Sequence, residues 1–254
     1  MTTESDQYLK SVLAKYSHTQ QTKSSIDNIA GSLMPIIQSW GKHYISGINY
    51  SGSLAKGTSV LGGTDVDLFI SLNAQTPNTM KEIYDTLFTA IQQNRLLPRK
   101  QNVSVGLNLN GLKLDLVPAK QQDGRSSDHS LYKNKGDTWT KTNVQQHINL
   151  ISQSGRTEEI RVLKIWRNQQ GFSFPSFYLE LSVLEALNGK RLGALSDNVV
   201  ASLEYLKNTF ISRRVIDPAN SNNIISDDLT QNEKSIIVNK AASALGKSWG
   251  EFAS

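Results

Sequence analysis

The stretch VSVGLNLNGLKLDLVP, residues 103–118, constrains the fold more than any other part of the chain. Val103, Val105, Leu107 and Leu109 recur at every second position, and Leu112, Leu114 and Leu116 do so again after a break. Side chains alternate across a strand with period two, so each run has one apolar face. Asn110-Gly111 lies between the runs, a dipeptide that tolerates positive φ at both central positions of a two-residue hairpin turn. That register pairs Leu109 with Leu112 and Leu107 with Leu114 and gathers the leucines on the core face. Asp115 must then point to the opposite face.

A second strand pattern carries two more carboxylates. In the stretch SGSLAKGTSVLGGTDVDLFI, residues 51–70, Val66, Leu68 and Ile70 alternate and continue to Leu72. Asp65 and Asp67 share the other face of that strand. Two anionic groups placed so close repel each other unless a positive group sits between them. Three carboxylates from two strands of one sheet could converge, and hard oxygen ligands with room left for water and phosphate suit Mg²⁺. Two such ions about 4 Å apart would activate an attacking hydroxyl and stabilise a leaving pyrophosphate. Upstream, Gly52 and Ser53 form a turn entering a helix start, where backbone N–H groups and a hydroxyl can meet a phosphate. Lys56 and Thr58 add a charge and another donor. A Walker loop is excluded, because the lysine of GSLAKGT precedes the second glycine and the strand follows the loop.

The rest of the chain frames these residues. Periodicity of 3.6 predicts helices over residues 24–40 and 79–94, and a short strand over 45–51 leads into the loop. Beyond residue 143 the pattern is helical, over 143–152, 157–169, 176–187, 198–213 and 230–252. A boundary near Lys135 separates an α/β half, residues 1–135, from a helical half, residues 136–254. With 254 residues, 38% apolar and 19% charged, the composition is that of a soluble globular protein. There is no cysteine, which removes disulfides, thiolate catalysis and cysteine-rich zinc sites. No apolar run approaches the roughly 20 residues that span a bilayer, and the N-terminus lacks a signal-peptide pattern. A cytoplasmic address with no membrane partner is the resulting expectation. The net charge of +5 suits a phosphate-rich partner.

The series GS…KGT…DVDLFI…LDLVPA resembles the polymerase-β-like nucleotidyltransferases. In the second half DTWTKTNVQQH, EIRVLKIWR, FPSFYLEL and DPANSNN resemble, in order, segments of one branch. That branch holds the bacterial cyclic-oligonucleotide synthases (CD-NTases), the 2′-5′-oligoadenylate synthetases and the archaeal-type CCA-adding enzymes. The likeness covers roughly residues 50–223, and the ordered set of six segments is far more specific than a Gly-Ser pair. It implies an α+β fold: a mixed sheet with flanking helices, then an all-helical second half that closes the nucleotide cleft. It implies catalytic and metal-binding roles for Asp65, Asp67 and Asp115, with Asp115 near the acceptor hydroxyl. It places Gly52 and Ser53 on the β- and γ-phosphates, Lys164 and Ser176 on the triphosphate, and Phe177 against the base. The implied cofactor is Mg²⁺ or Mn²⁺, and the implied substrate a nucleoside triphosphate, ATP first. The chain stops where many of these relatives continue into RNA-binding or regulatory regions.

The resemblance predicts transfer of a nucleotide to an acceptor hydroxyl with release of pyrophosphate. The acceptor is another nucleotide, giving an oligonucleotide or cyclic signal in antiviral defence, or the 3′ end of tRNA or another RNA. A nucleotide- or RNA-binding module without catalysis is the third reading, and three intact aspartates argue against it. Several residues have plainer readings. Arg161 and Lys164 lie one turn apart on what could be an ordinary basic face. Trp139, Trp166 and Trp249 read as core. His147 reads as a structural hydrogen-bonder, and Asp217 has no assigned role. The basic runs 95–100 and Lys133, Lys135 and Lys141 read as solvated charge that could also meet RNA.

Overall fold

Residues Val105–Leu109 and Leu112–Gln121 form the hairpin in the register their leucines set, Leu109 opposite Leu112 and Leu107 opposite Leu114. Asn110 and Gly111 both take positive φ, +53° and +82°, the turn whose twist matches that of the strands. The computed structural model describes residues 3–63 and 65–252. Its helices are α1 (Glu4–Lys15), α2 (Gln20–Gly41), α3 (Gly52–Lys56), α4 (Met80–Gln93), α5 (Val144–Ser152), α6 (Thr157–Gln170), α7 (Ser176–Ala186), α8 (Leu195–Asn208), α9 (Gln231–Leu245) and α10 (Trp249–Phe252). Its strands are β1 (Ile45–Tyr50), β2 (Val66–Leu72), β3 (Arg99–Lys100), β4 (Val105–Leu109), β5 (Leu112–Gln121), β6 (His129–Lys133), β7 (Thr138–Thr142), β8 (Ile216–Asp217) and β9 (Asn220–Ile224).

The described residues group into two compact units, neither of them one continuous stretch: His18–Ala55 with Thr64–Ile148, and Met1–Ser17 with Lys56–Gly63 and Asn149–Ser254. The first holds a mixed sheet in the order β1-β2-β5-β4-β3, with β6 on β5 and β7 on β6. Strands β2 and β5 run parallel and every other pairing in this sheet is antiparallel. One face is apolar. Val66, Leu68, Ile70, Leu107, Leu114 and Leu116 are buried there with Ile26, Leu33 and Ile37 of α2 and Tyr84, Leu87 and Ile91 of α4. Helix α4 starts on a capping box in which Thr79 and Glu82 satisfy each other's backbone N–H groups.

The second unit is helical apart from the small β8–β9 hairpin. Its core gathers Leu9, Val12 and Leu13 of α1 with Ile160, Leu163 and Trp166 of α6, Leu179 and Val183 of α7, Val199 and Leu203 of α8 and Ile237 of α9. Helix α1 is fastened by Arg161, whose guanidinium donates to the Leu13 carbonyl at 3.2 Å and the Ser17 hydroxyl at 2.7 Å. Asp217 closes the β8–β9 turn, accepting from the Ala219 N–H at 2.9 Å and from the Asn223 amide at 3.0 Å.

Several sequence expectations are corrected. Trp139 is not core: it is 58% exposed, because it lies on β7, which pairs only with β6. Trp166 is buried and Trp249 packs against the helical core. The helix expected over 230–252 breaks into α9 and α10 around Gly246, and the one over 198–213 ends at Asn208. Val103 lies outside β4. Helix α1 and strands β6 and β7 carry no sequence signal noted above.

Candidate active site

Asp67 and Asp115 are register partners on the parallel strands β2 and β5. Both sit on the face opposite the leucine core, as the period of two requires. Strand β5 lies between β2 and β4, so Asp115 occupies a central strand. Asp65 precedes β2 by one residue and is exposed. Its charge reaches Asp115 all the same: burial first, and then the Asp65 carboxylate, hold the Asp115 carboxyl above its ordinary value.

Asp115 is oriented by residues that the sequence reading did not single out. The Gln101 side-chain amide N–H donates to its Oδ1 at 2.8 Å, and the Ser104 hydroxyl donates to Gln101 Oε1 at 3.0 Å. The Tyr84 hydroxyl closes the same loop, reaching the main-chain carbonyls of Gln101 at 2.8 Å and Ser104 at 3.0 Å. Gly106 makes this possible. A Cβ there would lie 2.4 Å from Gln101 Nε2 and 3.3 Å from Asp115 Oδ1. The glycine within an alternating strand was the available signal, since such a position often marks close approach of another group.

Gly52 is constrained as tightly. Its φ is +55°, and a Cβ would fall 1.8 Å from Asp67 Oδ2. The Ser51 N–H donates to the Asp67 carbonyl at 2.9 Å. The start of α3 therefore lies directly against the Asp67 carboxylate, with Ser53 beside it in the chain.

Among the described residues, no three His, Cys, Asp or Glu side chains are gathered closely enough to cage a metal ion. Mg²⁺ does not need such a cage, since it keeps several waters and is held by one or two carboxylates together with substrate phosphates. The three aspartates fit it by chemistry. All donors are hard oxygens, and the Asp65 repulsion that adds to burial in raising Asp115 is what a cation relieves.

The other predicted binding residues belong to the helical unit, where Lys56, Thr58 and Lys164 form a buried cluster. Lys56 Nζ donates to Glu180 Oε2 at 2.8 Å, and Lys164 Nζ to Glu180 Oε1 at 2.6 Å. Thr58 donates to Glu180 Oε1 at 2.8 Å and accepts from Lys164 at 2.9 Å. The Lys56 ammonium also stands 4.2 Å from the centre of the Phe177 ring, a cation–π contact. Ser176 is exposed, and its hydroxyl accepts from Arg167 at 3.1 Å. Glu180 and Arg167 were missed, although both lie within the quoted segments FPSFYLEL and EIRVLKIWR. His147 lies on α5, outside this cluster.

This fold, a mixed sheet presenting paired aspartates beside a Gly-Ser turn, followed in the chain by a helical unit, is similar to that of solved CD-NTases. The Bradyrhizobium diazoefficiens CD-NTase CdnG in complex with GTP superposes with a TM-score of 0.79 at 13% identity, covering 96% of this chain and 90% of that one. Escherichia coli MS115-1 CdnC with ATP gives 0.76 at 19% identity, over 94% and 89%. In sequence the chain is a homologue of a cyclic AMP-AMP-AMP synthase from Escherichia coli strain MS 115-1, 24% identical over 186 residues. That match spans 65% of this chain and 58% of the relative. No family model matches the sequence. None of these relatives is named for RNA, so the RNA acceptor and the RNA-binding role of the basic runs have no support. Lys100 and Lys141 of those runs are instead paired with Asp85 and Asp128, each at 2.6 Å. No described helix is long and apolar enough to cross a membrane.

Proposed function

We propose that the chain is a template-independent nucleotidyltransferase that joins nucleoside triphosphates into a short or cyclic oligonucleotide signal, with ATP as the first substrate to test. The observation that carries this reading is the pairing of Asp67 with Asp115 across parallel strands, with Gly52 pressed against one carboxylate and Gln101 holding the other. Homology to a cyclic AMP-AMP-AMP synthase supports the choice of a nucleotide as acceptor.

In the proposed reaction a ribose hydroxyl of one nucleotide attacks the α-phosphorus of another. The new phosphodiester bond forms as the bond to pyrophosphate breaks. Asp65, Asp67 and Asp115 would hold divalent cations, which when bound supply Lewis-acid stabilisation of charge on the phosphate oxygens. Asp115 takes the hydroxyl proton. Its orientation is fixed by Gln101, so the group is placed before substrate arrives. Gly52 and Ser53 offer main-chain N–H groups and a hydroxyl to the outer phosphates. Lys56 and Lys164 supply positive charge and Phe177 an aromatic face for the base. The expected biological setting is antiviral signalling.

Purified protein incubated with Mg²⁺ and each α-labelled triphosphate tests the reading. Phosphatase-resistant labelled products, lost when Asp65 and Asp67 are both changed to Ala in a protein that keeps its circular dichroism spectrum, are the expected result. Equal product from that double variant would overturn it. Label appearing only on added tRNA would replace the acceptor.

A further inference from the structure

We infer that Glu180 is a positioning residue for the substrate-binding cations, holding the ammoniums of Lys56 and Lys164 in place for an anionic phosphate chain. The inference rests on the nucleotidyltransferase reading above. Three groups converge on this carboxylate, whose side chain is 1% exposed: Lys56 at 2.8 Å, Lys164 at 2.6 Å and Thr58 at 2.8 Å. Both of its oxygens are engaged. A carboxylate so occupied is badly placed to touch substrate itself, and well placed to fix what surrounds it.

The charges do not balance. Glu180 faces Lys56 from the end of α3 and Lys164 from α6, and Arg167, also on α6, senses the same carboxylate. Two ammoniums and a guanidinium therefore share one anion. A buried ion pair built only to hold the fold needs one partner for each charge, because every unmatched buried charge is costly. A surplus of buried cations is instead the character of a site for a polyanion. Lys56 is the least buried of the two lysines and carries its charge at the edge of the cluster, over the Phe177 ring.

Glu180 also decides whether Lys164 is a cation at all. Burial pushes the Lys164 amine down from its ordinary value, and Lys56 and Arg167 push the same way. Glu180 is the group that opposes them. Burial would raise the Glu180 carboxyl, but the adjacent Lys164 and Lys56 outweigh it and hold it ionised, below its usual value. The segment bearing Lys56 and Thr58 is itself anchored within this unit. The Leu61 N–H donates to the Tyr16 carbonyl at 2.8 Å, Val60 is buried in the helical core, and Gly63 leaves no room for a Cβ beside Asn168.

The test uses the full chain with Glu180→Gln, which keeps the shape and removes the charge, and Glu180→Asp, which keeps the charge. ATP affinity is measured by calorimetry with Mg²⁺ from pH 6.5 to 9.5. The Lys164 ammonium is followed by lysine side-chain NMR and assigned by its loss in Lys164→Arg. In Glu180→Gln the Kd for ATP should rise about tenfold from the low to the high end of that range, as Lys164 gives up its proton. The parent and Glu180→Asp should change less than about twofold over that range. The catalytic loss should fall on KM more than on kcat, and the Lys164 titration should move to lower pH. If Glu180→Gln does not fold, Lys56→Met combined with Glu180→Gln removes one cation with the anion, and Lys164 should still titrate below the parent, because Glu180 outweighs Lys56 in its effect on that amine. A pH-independent weakening in Glu180→Gln, or a Lys164 titration unchanged by the loss of the carboxylate, would overturn the proposal. A parent protein that binds no ATP while Lys164 still responds to Glu180 would sink the nucleotidyltransferase reading and leave Glu180's hold on the ammonium standing.

Discussion

Gln101 reaches Asp115 only because Gly106 has no side chain: the amide passes through the volume that a Cβ would fill. Gly106→Ala is therefore expected to push Gln101 off the carboxylate while leaving β4 paired. A shift of about 1 Å at a reacting group can cost on the order of 100-fold in rate. Pyrophosphate release by Gly106→Ala should fall by about 10- to 100-fold, with an unchanged circular dichroism spectrum. Activity within twofold of the parent would show that Gln101 does not position Asp115.

Asp115 trades stability for readiness. Its folded-state carboxyl is raised by burial and by Asp65, so the stabilisation it offers is present below its unfolded value and lost as pH rises through the folded one. At neutral pH the ionised group is a liability. Asp115→Asn keeps an oxygen for Gln101 and should unfold about 2 °C higher at pH 7, an advantage that fades as pH falls through the raised folded-state value and is gone at the ordinary carboxylate value. Added Mg²⁺ should raise the unfolding temperature of the parent more than that of the variant. Differential scanning calorimetry with and without the ion reads both effects.

His129 and Ser71 give a second pH signature. The His129 Nδ1 lies 2.9 Å from the Ser127 carbonyl, which can only accept, so Nδ1 carries the proton and Nε2 accepts from the Ser71 hydroxyl at 2.8 Å. Burial lowers the imidazole below its ordinary value of 6.5, against opposing contributions from Ser127 and Asp128. A depressed value means stability that is present above the unfolded value and lost as pH falls. Unfolding by urea at pH 5 and pH 7.5 should show the parent weakening at the lower pH by about 1 kcal/mol more than His129→Gln.

The Tyr178 hydroxyl is buried and finds no hydrogen-bond partner among the described residues. Burial, with the negative charges of Asp227, Asp228 and Glu185, pushes it up to about 12. An orphaned hydroxyl costs about 1–3 kcal/mol, so Tyr178→Phe should be at least neutral and is expected to stabilise by about 1 kcal/mol. The raised value means stability that is lost as pH rises through it, so the gain should widen in alkaline unfolding. A destabilised phenylalanine variant would mean the hydroxyl is satisfied after all.

Wherever a rule of local geometry applied, the sequence was informative. Asn110-Gly111 defined a turn, the turn defined a register, and the register put Asp115 on the polar face. Spacing of two did the same for Asp67, and the helical stripes of α2 and α4 were equally visible. What local rules do not contain is contact between distant residues. Lys56 and Lys164 were found as cations, but the carboxylate between them is one glutamate in an apolar helix, and nothing in the periodicity of FPSFYLEL marks it. Arg161 looked like Lys164 because both are basic and one turn apart. Its distinction, a hold on the end of α1, depends on residues 144 or more positions away. Trp139 was read as core by its type, whereas its exposure follows from strand order, which composition does not record.

The interleaving of the two units imposes an order on synthesis. Helix α1 is made before the rest of its unit, and apart from Val60 the buried core that Leu9, Val12 and Leu13 pack into comes from residues after 148. Until those residues are made that apolar stripe lacks most of its native partners, while the sheet of the other unit has all of its described strands by residue 142. The nascent chain therefore completes the carboxylate-bearing sheet early and the lysine–glutamate cluster late. Expression is then most sensitive to whatever shields those three side chains in the interval.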